Sequence, residues 1–176
     1  MKKALNGIST ILVVLVVVLA IMLVGVRVVG IQPYTVLSGS MEPTYHTGSL
    51  IYVKSVDPFE LEDGDVITFM LDENTIATHR IVEVVPDEED STVVRFRTKG
   101  DANDAVDGSL VHYKNVIGSP IFSIPYMGYF ANFVQSPPGL YVAIAACLFI
   151  VLLAFLPDMF DDEKDEKKKK KEKKAE

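Results

Sequence analysis

Three kinds of side chain in this sequence could take part in nucleophilic chemistry. Ser38 and Ser40 flank a glycine in SGSMEPT (38–44), His79 lies in THRIVEV (78–84), and Asp101, Asp104 and Asp107 fall within KGDANDAVD (99–107). A serine hydroxyl attacks a carbonyl only when a base takes its proton, and the developing oxyanion needs donors of its own. Ser40 could attack with Ser38 as a donor beside it, although taken alone serine next to glycine is usually just a turn. Histidine, with an ordinary pKa of about 6.5, suits the base. Its second ring nitrogen needs a carboxylate to fix the tautomer and stabilise the imidazolium, and KGDANDAVD offers three.

Other chemistries are excluded by composition. Cys147 is the single cysteine and sits in the apolar run AACLF, so neither an internal disulfide nor a zinc site is expected. No metal or cofactor is called for. The formal charge of -7 and a pI of about 5.0 argue against nucleic acid, whose phosphates demand a basic face. His46 and His112 read as surface or loop residues.

The elements that must position these groups belong to a chain of 176 residues, about one domain in length, but 49% hydrophobic and with a mean hydropathy of +0.26. The apolar excess collects near the ends. Residues 8–31 (ISTILVVLVVVLAIMLVGVRVVGI) are long enough for a transmembrane helix, with Arg27 near the far end where its stem can reach the headgroups. A second span is expected at 139–156, fenced by Pro137-Pro138 and Pro157, and the charged tail 157–176 is expected to be disordered. Lys2, Lys3 and the lysine-rich tail place both termini, 1–7 and 157–176, in the cytoplasm. Residues 32–138, with six basic and sixteen acidic side chains, then face the exterior.

That middle section alternates with a period of two, which predicts strands at Leu50–Val56, Asp65–Met70, along TIATHRIVEVV, and around Val94–Arg97. The fold class is therefore mainly β, flanked by two transmembrane helices. Phe122, Tyr126, Tyr129, Phe130 and Phe133, just ahead of the second span, fit either a headgroup belt or a core.

The ordered set SGSMEPT, GDVITF (64–69), THRIVEV and KGDANDAVD resembles the boxes of type I signal peptidases. More narrowly it is similar to the branch of archaea, the endoplasmic reticulum and some Gram-positive bacteria, where a histidine stands in place of a catalytic lysine. The resemblance implies a signal-peptidase-like complex β domain, with Ser40 as nucleophile, His79 as general base and Ser38 as a side-chain oxyanion donor beside the Ser40 N–H. The residues agree: positions 55–98 contain no lysine, and the Arg80 guanidinium does not deprotonate at working pH. Of the acids, Asp107 is favoured to orient His79 and Asp101 to pair with Lys99 or Arg80. Asp104 leaves that alignment ambiguous by one position.

The function so implied is a membrane-bound serine endopeptidase that removes signal peptides, with small residues at the first and third positions before the cut. Its partners would be signal-peptide-bearing precursors, the lipid bilayer and the secretion translocon. Its place would be the cell membrane, or the endoplasmic reticulum membrane in a eukaryote. The rival is a non-catalytic, membrane-anchored β-domain that binds extracytoplasmic proteins.

Overall fold

The computed structural model describes residues 2–87, 90 and 93–152, with side chains from Gly7 onward. The described chain falls into two compact units. One is Leu23–Phe133; the other combines Met1–Met22 with the segment from Val134, described as far as Leu152.

The unit Leu23–Phe133 is a single antiparallel sheet of seven strands: β1 (Ile31–Thr35), β2 (Leu50–Lys54), β3 (Val66–Met70), β4 (Ile76–Pro86), β5 (Val94–Lys99), β6 (Val111–His112) and β7 (Val116–Ile124). Their spatial order is β1-β2-β7-β3-β4-β5-β6. The expected strands are all present, and β1, β6 and β7 are additional. Pro33 is tolerated in β1 because that strand is at the edge and lends only one side to a ladder. Gly118 is required in β7, since a Cβ there would stand 2.0 Å from the carbonyl oxygen of Lys54 on the neighbouring strand β2.

Alternation decides what each strand buries. On β5, Val94, Phe96 and Thr98 point inward while Arg95, Arg97 and Lys99 point out. Phe96 joins Ile67, Phe69 and Ile81 in one core between β3, β4 and β5. A second core gathers Leu50, Tyr52 and Ala131, against which Leu23, Val26 and Ile31 pack. Ala131 belongs to α2 (Met127–Gln135), which follows β7.

This second core accounts for a departure from the sequence expectation. The helix α1 spans Lys2–Leu23 and stops well short of Ile31; a 3-10 turn at Gly25–Val29 follows, closed by Gly30 at φ 77°. Glycine at both ends of that turn and three valines within it disfavour a continued helix. The last part of the apolar run is therefore spent on packing against β2. Near the other end, α3 (Pro137–Leu152) begins after a break at Ser136. Residues 153–176, including the end of the expected second span and the charged tail, lie outside the described residues. Among the described residues no single helix is long and apolar enough to cross a membrane, though α2 and α3 together satisfy the criterion as a bent pair. Apolar side chains are nevertheless exposed along both terminal helices, including Ile11 and Val14 on α1 and Ile144 and Leu148 on α3.

The five aromatics near α2 are not core residues: Phe122, Tyr126, Tyr129, Phe130 and Phe133 are all exposed. The two environments of phenylalanine give a direct check. Phe96→Ala should lower stability by about 3–5 kcal/mol in urea unfolding of the detergent-solubilised protein, whereas Phe122→Ala, which removes an exposed ring stacked on Tyr52, should lower it by no more than about 1.5 kcal/mol.

Candidate active site

Residues 36–49 form a loop between β1 and β2 whose neck is tied by two backbone bonds. Val36 N–H donates to Ser49 O at 2.9 Å, and Gly48 N–H donates to Val36 O at 2.8 Å. Met41 is buried and anchors the loop from within. The Glu42 carboxylate pairs with His46 and accepts the Thr47 N–H, and these bonds hold its carboxyl below the usual range. His46 is thus an exposed residue bracing the loop. His112, on β6, stacks on Tyr113 and accepts the Lys114 N–H, so it caps a short turn.

The Ser40 carbonyl is held from a different part of the chain. It accepts the Ala102 N–H at 2.9 Å, and a Cβ on Gly100 would lie only 2.6 Å from it. Glycine at position 100 is what lets the KGDANDAVD turn approach this closely.

His79 reaches the same place from β4, with Phe69 edge-on against its ring at 6.3 Å between centroids. Its Nε2 lies 3.2 Å from Ser40 Oγ and its Nδ1 lies 2.6 Å from Asp107 Oδ2. An ionised carboxylate only accepts, so Nδ1 carries the proton and Nε2 is left as the acceptor for the serine hydroxyl. Ser38 Oγ stands 3.3 Å from Ser40 Oγ, exposed to solvent. Such an arrangement can draw a proton from a serine while holding the resulting imidazolium against a carboxylate.

Asp101 is placed on another partner. Arg80 grips it with two nitrogens, Nε to Oδ1 at 2.9 Å and Nη2 to Oδ2 at 2.7 Å, and Nη1 donates to Gly64 O at 2.8 Å. The Thr44 hydroxyl adds a further bond to Asp101. The guanidinium's hydrogen bonds hold the Asp101 carboxyl below the usual carboxylate range, prevailing over the opposite effect of burial. Of the two partners the sequence allowed, Arg80 is therefore the one in place. Asp104 is exposed and takes part in none of these contacts. Sequence reasoning missed Thr44, Thr98 and the Ala102 amide. Thr98 carried a signal, as a hydroxyl in an otherwise apolar inward row; a backbone amide carries none.

In front of Ser40 and His79 opens a groove of about 450 Å³, lined on one side by Tyr34–Ser38 and on the other by Asn74–His79. Each wall includes a strand end, Tyr34–Thr35 of β1 and Ile76–His79 of β4, that among the described residues is paired on one side alone. β1 pairs only with β2, and the β4–β5 ladder begins at Arg80, leaving Ile76–His79 bonded to β3 alone.

A β-sheet domain thus brings serine, histidine and aspartate into hydrogen-bonding succession beside an open groove. The family described as signal peptidase, peptidase S26, matches residues 8–120, and the chain belongs to that family. It is 45% identical over 124 residues to signal peptidase I W of Bacillus subtilis (strain 168), covering 66% of this chain and 64% of that protein. It is 30% identical over 121 residues to the signal peptidase complex catalytic subunit SEC11C of Rattus norvegicus and of Homo sapiens, covering 64% of this chain and 62% of each. The chain thus spans slightly less than two thirds of the length of these relatives.

The Arg80–Asp101 clasp makes a pH-dependent prediction. A carboxyl whose pKa is depressed on folding stabilises the fold above its unfolded value, about 3.9, and loses that contribution as pH falls through the folded value. Asp101→Asn should therefore lower the melting temperature at pH 7, and the gap to wild type should close as the pH is taken below about 3.9. A gap that is constant with pH would remove the ion pair from the explanation.

Proposed function

We propose that this chain is a membrane-tethered serine endopeptidase that cleaves signal peptides from exported precursors. The observation that carries the reading is the unbroken succession Ser40 Oγ, His79 Nε2, His79 Nδ1, Asp107 Oδ2 beside a groove whose walls include the one-sided ends of β1 and β4. Such edges accept an extended peptide by adding it as a strand, which presents its carbonyls in register to a side chain fixed at one end. The groove walls include Ile76, Ala77 and Met41, apolar surfaces suited to small apolar side chains before the cut.

In the proposed reaction His79 Nε2 takes the Ser40 proton as Oγ attacks the scissile carbonyl. The oxyanion accepts from the Ser38 hydroxyl and the Ser40 N–H. The imidazolium, held by Asp107, gives its proton to the departing amine, and water then hydrolyses the acyl-enzyme with His79 as base once more. Asp101 acts differently, holding Arg80 and the Thr44 end of the loop in place. A non-catalytic binding module would use the same groove but would need neither the serine nor the histidine.

Tethering is supported by the apolar side chains exposed along the helices at both ends, a surface suited to lipid. A signal peptide is held in the bilayer by its own apolar segment, so an enzyme anchored there meets the scissile bond at high effective concentration. The bilayer, the precursor and the translocon that delivers it are the partners this implies. The topology has residues 32–138 outside and both termini in the cytoplasm, in the cell membrane or, in a eukaryote, the endoplasmic reticulum membrane. Protease added to intact cells or spheroplasts should then cut the central domain and spare tags at both termini; a C-terminal tag digested from outside would refute a second crossing.

The decisive assay is processing of a secretory precursor in detergent. Ser40→Ala should abolish cleavage with an unchanged melting temperature, and Ser38→Ala should slow it by about 10²- to 10³-fold, as expected for one oxyanion donor. Wild-type turnover should rise as the pH is raised from the acid side, because only neutral imidazole accepts the serine proton. Cleavage by a clean Ser40→Ala preparation would end the serine mechanism.

A further inference from the structure

The inward row of β5 ends on a hydroxyl. Val94 and Phe96 fill the core, and Thr98, the next position on the same face, has a relative exposure of 0%. An apolar residue of similar shape would suit the packing there, and a buried hydroxyl is costly unless it finds a partner. Thr98 Oγ1 donates to Asp107 Oδ2 at 2.6 Å, and that same oxygen faces His79 Nδ1 at 2.6 Å. The Asp107 N–H returns a bond to the Thr98 carbonyl at 2.8 Å. Thr98 therefore holds Asp107 at both its backbone and its carboxylate.

We infer that Thr98 is a positioning residue for the proposed serine–histidine–aspartate relay, fixing the Asp107 rotamer that presents Oδ2 to the His79 ring. The inference rests on the reading of those three residues given above. Asp107 needs such a hold because its side chain is about a quarter exposed, at 24%. Water competes for a carboxylate in that position, and among the described residues the side chains that hold its oxygens are Thr98 and His79 itself. The order of donors is determined as well. Oδ2 receives one proton from Thr98 and one from Nδ1, so the imidazole presents an unprotonated Nε2 to Ser40. The main-chain bond to Thr98 O survives any substitution at position 98, so the hydroxyl can be removed while the turn stays attached.

The test compares Thr98→Val and Thr98→Ser with the full-length parent in detergent, by steady-state kinetics across pH and by NMR titration of the His79 ring. Loss of one hydrogen bond to a charged group predicts a kcat lower by about 10- to 100-fold in Thr98→Val, with KM within about threefold. With the carboxylate free to turn toward water, the imidazolium is less stabilised. The acid limb of the rate profile and the His79 titration should both move to lower pH. Thr98→Ser restores the hydroxyl and should recover rate and titration together. The inference is overturned if Thr98→Val keeps the parental kcat and titration. It is equally overturned if activity falls only in proportion to folded protein with the His79 titration unmoved, or if Thr98→Ser is as impaired as Thr98→Val. Failure of the relay itself would appear separately, as cleavage retained in Ser40→Ala; the NMR titration needs no turnover and still decides whether Thr98 governs the Asp107–His79 contact.

Discussion

The imidazole of His79 is the point on which this structure turns, because it must meet two partners from opposite sides of the sequence at once. Ser40 comes from the loop after β1 and Asp107 from the turn after β5, with 3.2 Å and 2.6 Å to the two ring nitrogens. A ring nitrogen a single ångström out of place makes no useful hydrogen bond. Each neighbouring feature can be read as a constraint on that ring: Phe69 against its edge, the bonds of Ile67 and Thr68 to β4, and the irregularity between Ile81 and Glu83, where β4 changes register on β5. The late start of the β4–β5 ladder leaves the first half of β4 with a free edge. The same strand therefore supplies both the histidine and one wall of the groove.

Two clasps bring the loops to the ring, and they differ in physical kind. The backbone bond from Ala102 to Ser40 depends on close approach and hence on the missing side chain at Gly100. The Arg80–Asp101 pair is ionic and bidentate, partly buried, and extended by Thr44 and the Gly64 carbonyl. A bidentate pair fixes an angle as well as a distance, which a lysine in place of Arg80 would not do. Arg80 adjoins His79 in sequence yet projects to the other side of the strand. One strand thus presents a proton acceptor on one face and a structural cation on the other.

Much of this was legible because chemistry restricts residue types. The resemblance of the ordered boxes to those of signal peptidases singled out Ser40, His79 and the acids of 101–107, with a hydroxyl, an imidazole and carboxylates that the chemistry allows, and alternation exposed β2 to β5. What escaped had physical reasons. β1 lies at the tail of an apolar run and contains Pro33, so nothing marks it off from an anchor; β7 contains Gly118, which serves the close approach to β2, and Pro120, and both break the alternating pattern. Hydropathy does not distinguish apolar surface meant for lipid from apolar surface meant for β2, and so Leu23, Val26 and Ile31 read as membrane when they pack on Leu50 and Tyr52. Asp101 and Asp107 are alike in sequence; only the fold sets one on Arg80 and the other on His79.

The central claim is that Ser40 is made nucleophilic by His79. The measurement that addresses it most directly is mass mapping of the protein after treatment with an acylating, serine-directed inhibitor. The account predicts one covalent adduct, on the peptide containing Ser40, formed more slowly at acid pH and absent from His79→Ala. An adduct that forms at Ser40 at an equal rate in His79→Ala, or inhibition of cleavage with Ser40 unmodified and another residue labelled, would contradict it.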